Sequence, residues 1–271
     1  MSKLSIIIPS RECSYLNKTI SDLLTKAKEE IEIIVVLDGY KPVEPIEGNA
    51  KVIVIKQEQF GMRAAINLGV DFAEGEYIMK IDEHCMVEEG FDIKLKANCN
   101  DNWVVIPRRY RLDADKWGLI QDGRPPIDYM FIENRDGYLH GTIDKERTEE
   151  RKEFLIDELM TFQGSCYFMK KSFWSVIGPL DDEHYGPFAN EAQEISCKTW
   201  LMGGRVMVNK KTWYAHWHRD RRGYGFTNEQ QRQFSKDVNK GREYCYNYWM
   251  NTKNYQYDFN WLLNKFKQIK N

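Results

Sequence analysis

Four short apolar runs, most of them closing on a polar cluster, constrain this chain more than anything else in it. Leu4 to Ile8 stops at Pro9-Ser10. Ile33 to Leu37 stops at Asp38-Gly39, and Lys51 to Ile55 follows. Tyr77 to Ile81 stops at Asp82-Glu83-His84. Each run has the length and β-branched content of a buried strand. Between them, Asn17 to Lys28 carries Ile20, Leu23, Leu24 and Ala27 at helical spacing, and Met62 to Phe72 is helical as well. Strand, helix, strand, strand, helix, strand implies right-handed crossovers and a mainly parallel sheet flanked by helices. Such sheets bind ligands at the carboxyl ends of their strands. Three polar clusters, at 9–10, 38–39 and 82–84, therefore fall along one edge.

The third cluster has chemistry of its own. Residues i and i+2 of an extended segment point the same way, so Asp82 and His84 converge on one point. A carboxylate oxygen beside an imidazole nitrogen suits a divalent ion such as Mn²⁺. The plainer reading is a solvated loop, because an Asp and a His near a strand end are usually only that. Three of the five histidines lie at 84, 216 and 218, and the latter pair sits in the aromatic run TWYAHWHRDRRGYGF (212–226). Strand alternation there would put His216 and His218 on one face with Tyr214.

The global numbers exclude several classes. Net charge is −2, so no overall field draws the chain to a polyanion. No apolar run approaches 18 residues and no secretory apolar segment is present, so the expectation is a protein without a membrane span. The six cysteines form no Cys-x-x-Cys pair, which reads as buried free thiols in a reducing, cytoplasmic setting. No repeat or Pro/Gly-rich linker divides the chain.

The ordered set IIIPSRE (6–12), VVLDGY (35–40) and GMRAAINLGVDFAEGEYIMKIDEHC (61–85) resembles the nucleotide-sugar half of the GT-A glycosyltransferases. The resemblance is nearest to family 2 and the polypeptide N-acetylgalactosaminyltransferases. A second block, GPFANEAQEISCKTWLMGG (186–204) followed by WYAHWHR (213–219), is similar to the acidic helix and His-bearing strand of those enzymes. The resemblance implies a metal-dependent transfer of sugar from a nucleoside diphosphate donor, UDP foremost, to an acceptor hydroxyl. It implies Asp82, His84 and His216 as ligands of Mn²⁺ or Mg²⁺, with His218 as the substitute for His216. Pro9, Ser10 and Glu12 would wall the nucleotide pocket, Asp38 would meet the base or ribose, and Arg63 and Asn67 would lie on the donor side. Gln163 and Gly164 would face the sugar, and Arg219, Arg221, Arg222 and Tyr224 would form a lid over the diphosphate. Glu191 and Glu194, opening the acidic helix, would be the catalytic acids, with Glu191 as base or sugar positioner, although Ala192 stands where inverting members place their base.

On this reading residues 1–228 form the transferase domain, with a nucleotide-sugar half to about residue 100, an acceptor half after it, and residues 229–271 as a helical, aromatic extension. Residues 108–158 show no clean periodicity and read as a long binding or capping loop. The amphipathic end, DFNWLLNKFKQI, docks back or meets a partner subunit, leaving room for a homo-oligomer. The acceptor stays open among glycan, lipid, protein and modified DNA. VVIPRRYRLDADKW and the lid also resemble glycosyltransferases of phages and large viruses, which makes hydroxymethylated DNA a second reading. A nucleotidyltransferase would need a Gly-rich loop after the first strand, which IIIPSRECSYL lacks. A noncatalytic sugar- or nucleic-acid-binding module is the remaining competitor.

Overall fold

The computed structural model describes residues 3–11, 14–46, 51–58, 60–218 and 227–267. Its first half is the alternation the sequence requires: β1 (Leu4–Ser10), α1 (Leu16–Lys26), β2 (Ile31–Asp38), β3 (Val52–Gln57), α2 (Met62–Phe72) and β4 (Tyr77–Ile81). Every residue of β1, β2 and β4 is buried, as expected for parallel strands covered on both faces. The side chains divide by parity. Ile6, Ile8, Ile33, Val35 and Met79 pack with α1, while Ile7, Ile34, Val36 and Ile78 pack with α2.

The second half adds β5 (Cys85–Val87), α3 (Phe91–Lys96), β6 (Trp103–Asp113), β7 (Gly118–Leu119), β8 (Met130–Arg135) and β9 (Tyr138–Ile143). It continues with α4 (Lys145–Glu150), β10 (Ile156–Glu158), β11 (Cys166–Lys170), α5 (Lys171–Ile177), α6 (Glu191–Leu201), β12 (Arg205–His216), α7 (Asn228–Asn251) and α8 (Phe259–Lys267). The main sheet runs β10-β12-β6-β11-β4-β1-β2-β3. From β4 through β3 it is parallel, whereas β11 lies antiparallel between β4 and β6. The sheet is therefore mixed, with its parallel half carrying the first three polar clusters. β5 adds an antiparallel pairing to the end of β12, and this joins the segment after β4 to the far side of the sheet.

Two expectations change. Residues 108–158 are not a structureless loop: β6 extends to Asp113, and β8 and β9 form a hairpin across Asp136-Gly137, both with positive φ. That two-residue turn matches the right-handed twist of the strands it joins. β12 ends at His216, so His218 lies beyond the alternation, where the Trp217 N–H donates to the His84 carbonyl.

α7 is longer than the polar stretch Asn228–Arg242, because Val238, Gly241, Cys245 and Trp249 give it a buried face. Thr227 and Gln230 close its start as a reciprocal cap. α8 packs Phe259, Leu262 and Phe266 into the larger core, so the amphipathic end docks back on its own chain. Cys85, Cys99, Cys166, Cys197 and Cys245 are buried free thiols, and Cys13 lies outside the described residues. Among the described residues no helix is long and apolar enough to cross a membrane.

Candidate functional site

The site begins with a lysine in an apolar strand. The run YIMKI puts Lys80 on β4, 2 % exposed, and a buried ammonium needs acceptors. Its Nζ lies 2.6 Å from Asp82 Oδ1, 2.6 Å from the Gly164 carbonyl and 3.4 Å from Glu191 Oε2. Asp82 Oδ1 is thereby occupied, and Oδ2 lies 3.3 Å from His216 Nε2. The Nε2 atoms of His84 and His216 stand 3.1 Å apart. One ligand atom from each of Asp82, His84 and His216 lies within 4.8 Å of the others, although 132 positions of sequence separate the histidines. The β5–β12 pairing produces this approach by setting His216 opposite Cys85, the residue after His84.

Electrostatics favour a cation at that point. Burial alone would raise the Asp82 pKa, but Lys80, His216 and His84 overcome it and hold the carboxyl well below the usual range. Burial lowers His216 against the pull of Asp82, so its imidazole is neutral at pH 7 and has a lone pair to offer. The donor set of one carboxylate oxygen and two imidazole nitrogens fits Mn²⁺.

The middle residue of the Asp-Glu-His triplet turns the other way. Glu83 accepts from Ser10 Oγ at 2.5 Å and from the Arg11 N–H at 3.1 Å, and its carbonyl accepts from Thr19. It thereby fastens the end of β1 to the triplet. Asp38 plays the matching part on β2. Its Oδ1 accepts from the Phe60 and Gly61 N–H groups, both at 3.0 Å, and from Gln57 at 2.9 Å. Gly61 has φ +98°, and a Cβ there would lie 2.5 Å from Pro187, so glycine is what lets this loop meet the 186–188 turn.

These elements surround a cleft of about 640 Å³. Pro9, Ser10, Asp38, Asp82, His84, Gln163, His216 and His218 line it. Phe60, Phe188 and the first turns of α7 also line it, through Gln230, Gln233, Phe234 and Asp237. From the sequence, residues after 228 are expected to form an extension packed on the body. Here that extension is one wall of the cleft.

Other expected site residues lie elsewhere. Arg63, fully buried, pairs with Glu194, donates to the carbonyls of Ala189 and Asp181, and sits 4.4 Å over the Tyr185 ring. Glu194 also pairs with Lys198 at 2.7 Å and accepts from the Asp181 N–H at 3.0 Å. Asn67 exchanges two hydrogen bonds with the Leu180 backbone. This trio clamps α2 to the loop before α6, away from the cleft wall. Glu191 is 5 % exposed and lies beneath the Gln163-Gly164 turn, where a Cβ on Gly164 would come within 2.6 Å of its Oε2. Burial raises its pKa against the pull of Lys80. Glu12, Arg219, Arg221, Arg222 and Tyr224 lie outside the described residues. Lys80 went unremarked in the sequence, although a single charge within a buried run was the signal that marks it.

A mixed sheet of this order, with its cation-ready cluster at the strand ends, is the GT-A architecture. Solved structures agree. A crystal structure of GalNAc-T7 with UDP, GalNAc and Mn²⁺ superimposes over 93 % of this chain and 48 % of its own, at TM-score 0.74 and 16 % identity. Another, of S. aureus TarS residues 1–349 with UDP-GlcNAc, covers 94 % and 68 %, at TM-score 0.58 and 14 % identity. The sequence model of glycosyl transferase family 2 matches residues 5–175, more than half the chain, and the chain belongs to that family. A putative polypeptide N-acetylgalactosaminyltransferase 13 of Drosophila melanogaster is 24 % identical over 252 residues, 82 % of this chain and 42 % of that protein. GlyA, a glycosyltransferase of Streptococcus pneumoniae, is 29 % identical over 96 residues, 33 % of this chain and 14 % of its own. The chain thus spans less than half the length of these two relatives.

Proposed function

We propose that this chain transfers a sugar from a nucleoside diphosphate donor, a UDP-sugar foremost, to an acceptor hydroxyl, with Mn²⁺ or Mg²⁺ held by Asp82, His84 and His216. The observation that carries the reading is the convergence of those three ligand atoms, from segments 132 positions apart, on the wall of a cleft. Neighbours crystallised with UDP and Mn²⁺, or with UDP-GlcNAc, support the choice of donor. When bound, the ion supplies charge neutralisation to the departing diphosphate, the largest electrostatic demand of the reaction.

The chain's own residues prepare the rest. Lys80 occupies one oxygen of Asp82 and leaves the other turned to the histidines. Pro9, Ser10 and Asp38 face the nucleotide, with Asp38 holding the Phe60–Gly61 backbone in place. Gln163 and Gly164 face the sugar. Glu191, expected as base or sugar positioner, takes the positioning role: it is beneath the Gln163-Gly164 turn and reaches the site through Lys80. Arg219, Arg221, Arg222 and Tyr224 are proposed to close over the diphosphate on sequence grounds. The acceptor wall is α7.

Screening purified protein for donor hydrolysis across UDP- and GDP-sugars with Mn²⁺ tests this. Slow, Mn²⁺-dependent release of UDP from one donor is expected. No release from any donor, together with no UDP binding, would reject the proposal.

A further inference from the structure

Five basic side chains are buried among the described residues: Arg63, Lys80, Arg109, Arg147 and Lys210. Four face a carboxylate. Arg63 has Glu194, Lys80 has Asp82 and Glu191, Arg147 has Asp157 at 3.4 Å, and Lys210 has Asp128 at 3.8 Å. Arg109 is the exception. It is 6 % exposed, and its guanidinium has no hydrogen bond or ion pair among the described residues. The groups acting on it besides burial are Tyr214, Arg111 and Cys85, none of them a carboxylate. The adjacent Arg108 shows the contrast, since its Nε and Nη2 donate to Asp128, at 2.8 and 2.7 Å.

The place of this unpaired cation is informative. β6 and β12 run parallel with Arg109 opposite Tyr214 and Arg111 opposite His216. Cross-strand partners share a sheet face, so Arg109 and Arg111 lie on the face that carries the third metal-ligand candidate. Both His216 and His218 feel the Arg109 charge. An uncompensated buried charge is costly, and folds retain one where a ligand of opposite sign completes the pair. A guanidinium presents a planar fork of donors that matches phosphate oxygens.

We infer that Arg109, flanked by Arg111, is a receptor for a phosphate group beside the Asp82–His84–His216 cluster. The inference rests on the proposed reading of the cleft as a nucleoside diphosphate-sugar site. The phosphate belongs either to the donor diphosphate or to a phosphate-bearing acceptor.

The test compares wild type with Arg109→Met in two arms. The first measures UDP affinity with Mn²⁺ by calorimetry. The second titrates inorganic phosphate into protein saturated with UDP and Mn²⁺. A loss of about tenfold or more in one arm is expected. Mn²⁺ affinity without nucleotide should stay within twofold, and the thermal midpoint should be unchanged or higher because an unpaired buried charge is gone. Loss in the first arm assigns the site to the donor, and loss in the second assigns it to the acceptor. Both arms within twofold of wild type would overturn the inference. Should Arg109→Met not fold, Arg109→Lys keeps the charge and removes the fork. A loss of about threefold or more then supports the site, and unchanged affinity in both arms refutes it. If wild type binds no UDP, the donor reading fails by itself. The phosphate titration, run without UDP, still decides Arg109.

Discussion

Glu191 and Glu194 stand three residues apart at the start of one helix, and both are nearly inaccessible, yet they belong to different parts of the molecule. Glu194 is held by Arg63, Lys198 and a backbone N–H, so its charge is spent on binding α2 to α6. Glu191 shares Lys80 with Asp82, and its Oε1 is buried with no hydrogen-bond partner. The pair teaches that an acid in a helix's first turn is ambiguous until its cation is known. A basic partner on α2 makes it a brace, whereas a basic partner shared with a candidate metal ligand makes it part of the site.

The most forceful way to break this comparison is Glu194→Gln. It leaves Arg63 buried without its counter-charge and should cost about 3–5 kcal/mol of stability, read by denaturant unfolding. UDP affinity of the folded fraction should be unchanged. A loss under about 1 kcal/mol would show that the brace is not one. Glu191→Gln should do the reverse. Stability should move by about 1 kcal/mol or less, while Mn²⁺ affinity and turnover fall roughly 10- to 100-fold through Lys80 and Asp82, as when a group supporting a metal ligand is lost. Equal effects of the two variants on turnover would erase the distinction.

Gly164→Ala sharpens the same point without changing charge. The added methyl meets Glu191 Oε2, so turnover should drop on the order of tenfold at a stability cost of about 1–3 kcal/mol. Wild-type turnover in that variant would mean that Glu191 moves freely and positions nothing.

The smallest expected effect is in pH. Burial holds His216 below its usual pKa, and burial with neighbouring His216, Arg109 and Arg111 pushes His218 down to about 4. The unfolded chain then binds more protons than the folded one below about pH 6.5. Stability from these groups is present above that value and is lost as pH falls toward 4. Thermal midpoints without metal should decline on acidification through this window. Stabilisation by added Mn²⁺ should be larger at pH 7.5 than at about pH 4, where protons compete for the imidazoles. A midpoint gain from Mn²⁺ that is the same at both values would remove the histidines from the metal site.

The first half of the fold was legible because its contacts are local and repetitive. Two of the four apolar runs lead straight into a helix, and the polar residues that end β1, β2 and β4 lie at the cleft by topology alone. Asp82, His84, Asp38 and Ser10 could therefore be placed at one edge from spacing and strand order. The second half hid its logic in distant pairings. Nothing near Lys80 announces Glu191, and nothing near Arg63 announces Glu194, so Arg63 and Asn67 were expected on the donor side when they fasten the core. The hairpin of β8 and β9 was readable, since Asp136-Gly137 is a strong turn signal, but the charged residues around it masked the alternation. α7 was read as an appendage because its polar start lacks an apolar stripe. That polarity is what a helix lining a cleft requires.

Central to the account is one cation shared by two strands that are remote in sequence. Titrating Mn²⁺ in the presence of UDP into wild type, His84→Ala and His216→Ala by calorimetry tests it most directly. Each single variant should lose on the order of a hundredfold in Mn²⁺ affinity, about 2.7 kcal/mol. A His216→Ala protein that binds Mn²⁺ as wild type does, while His84→Ala does not, would contradict the shared site.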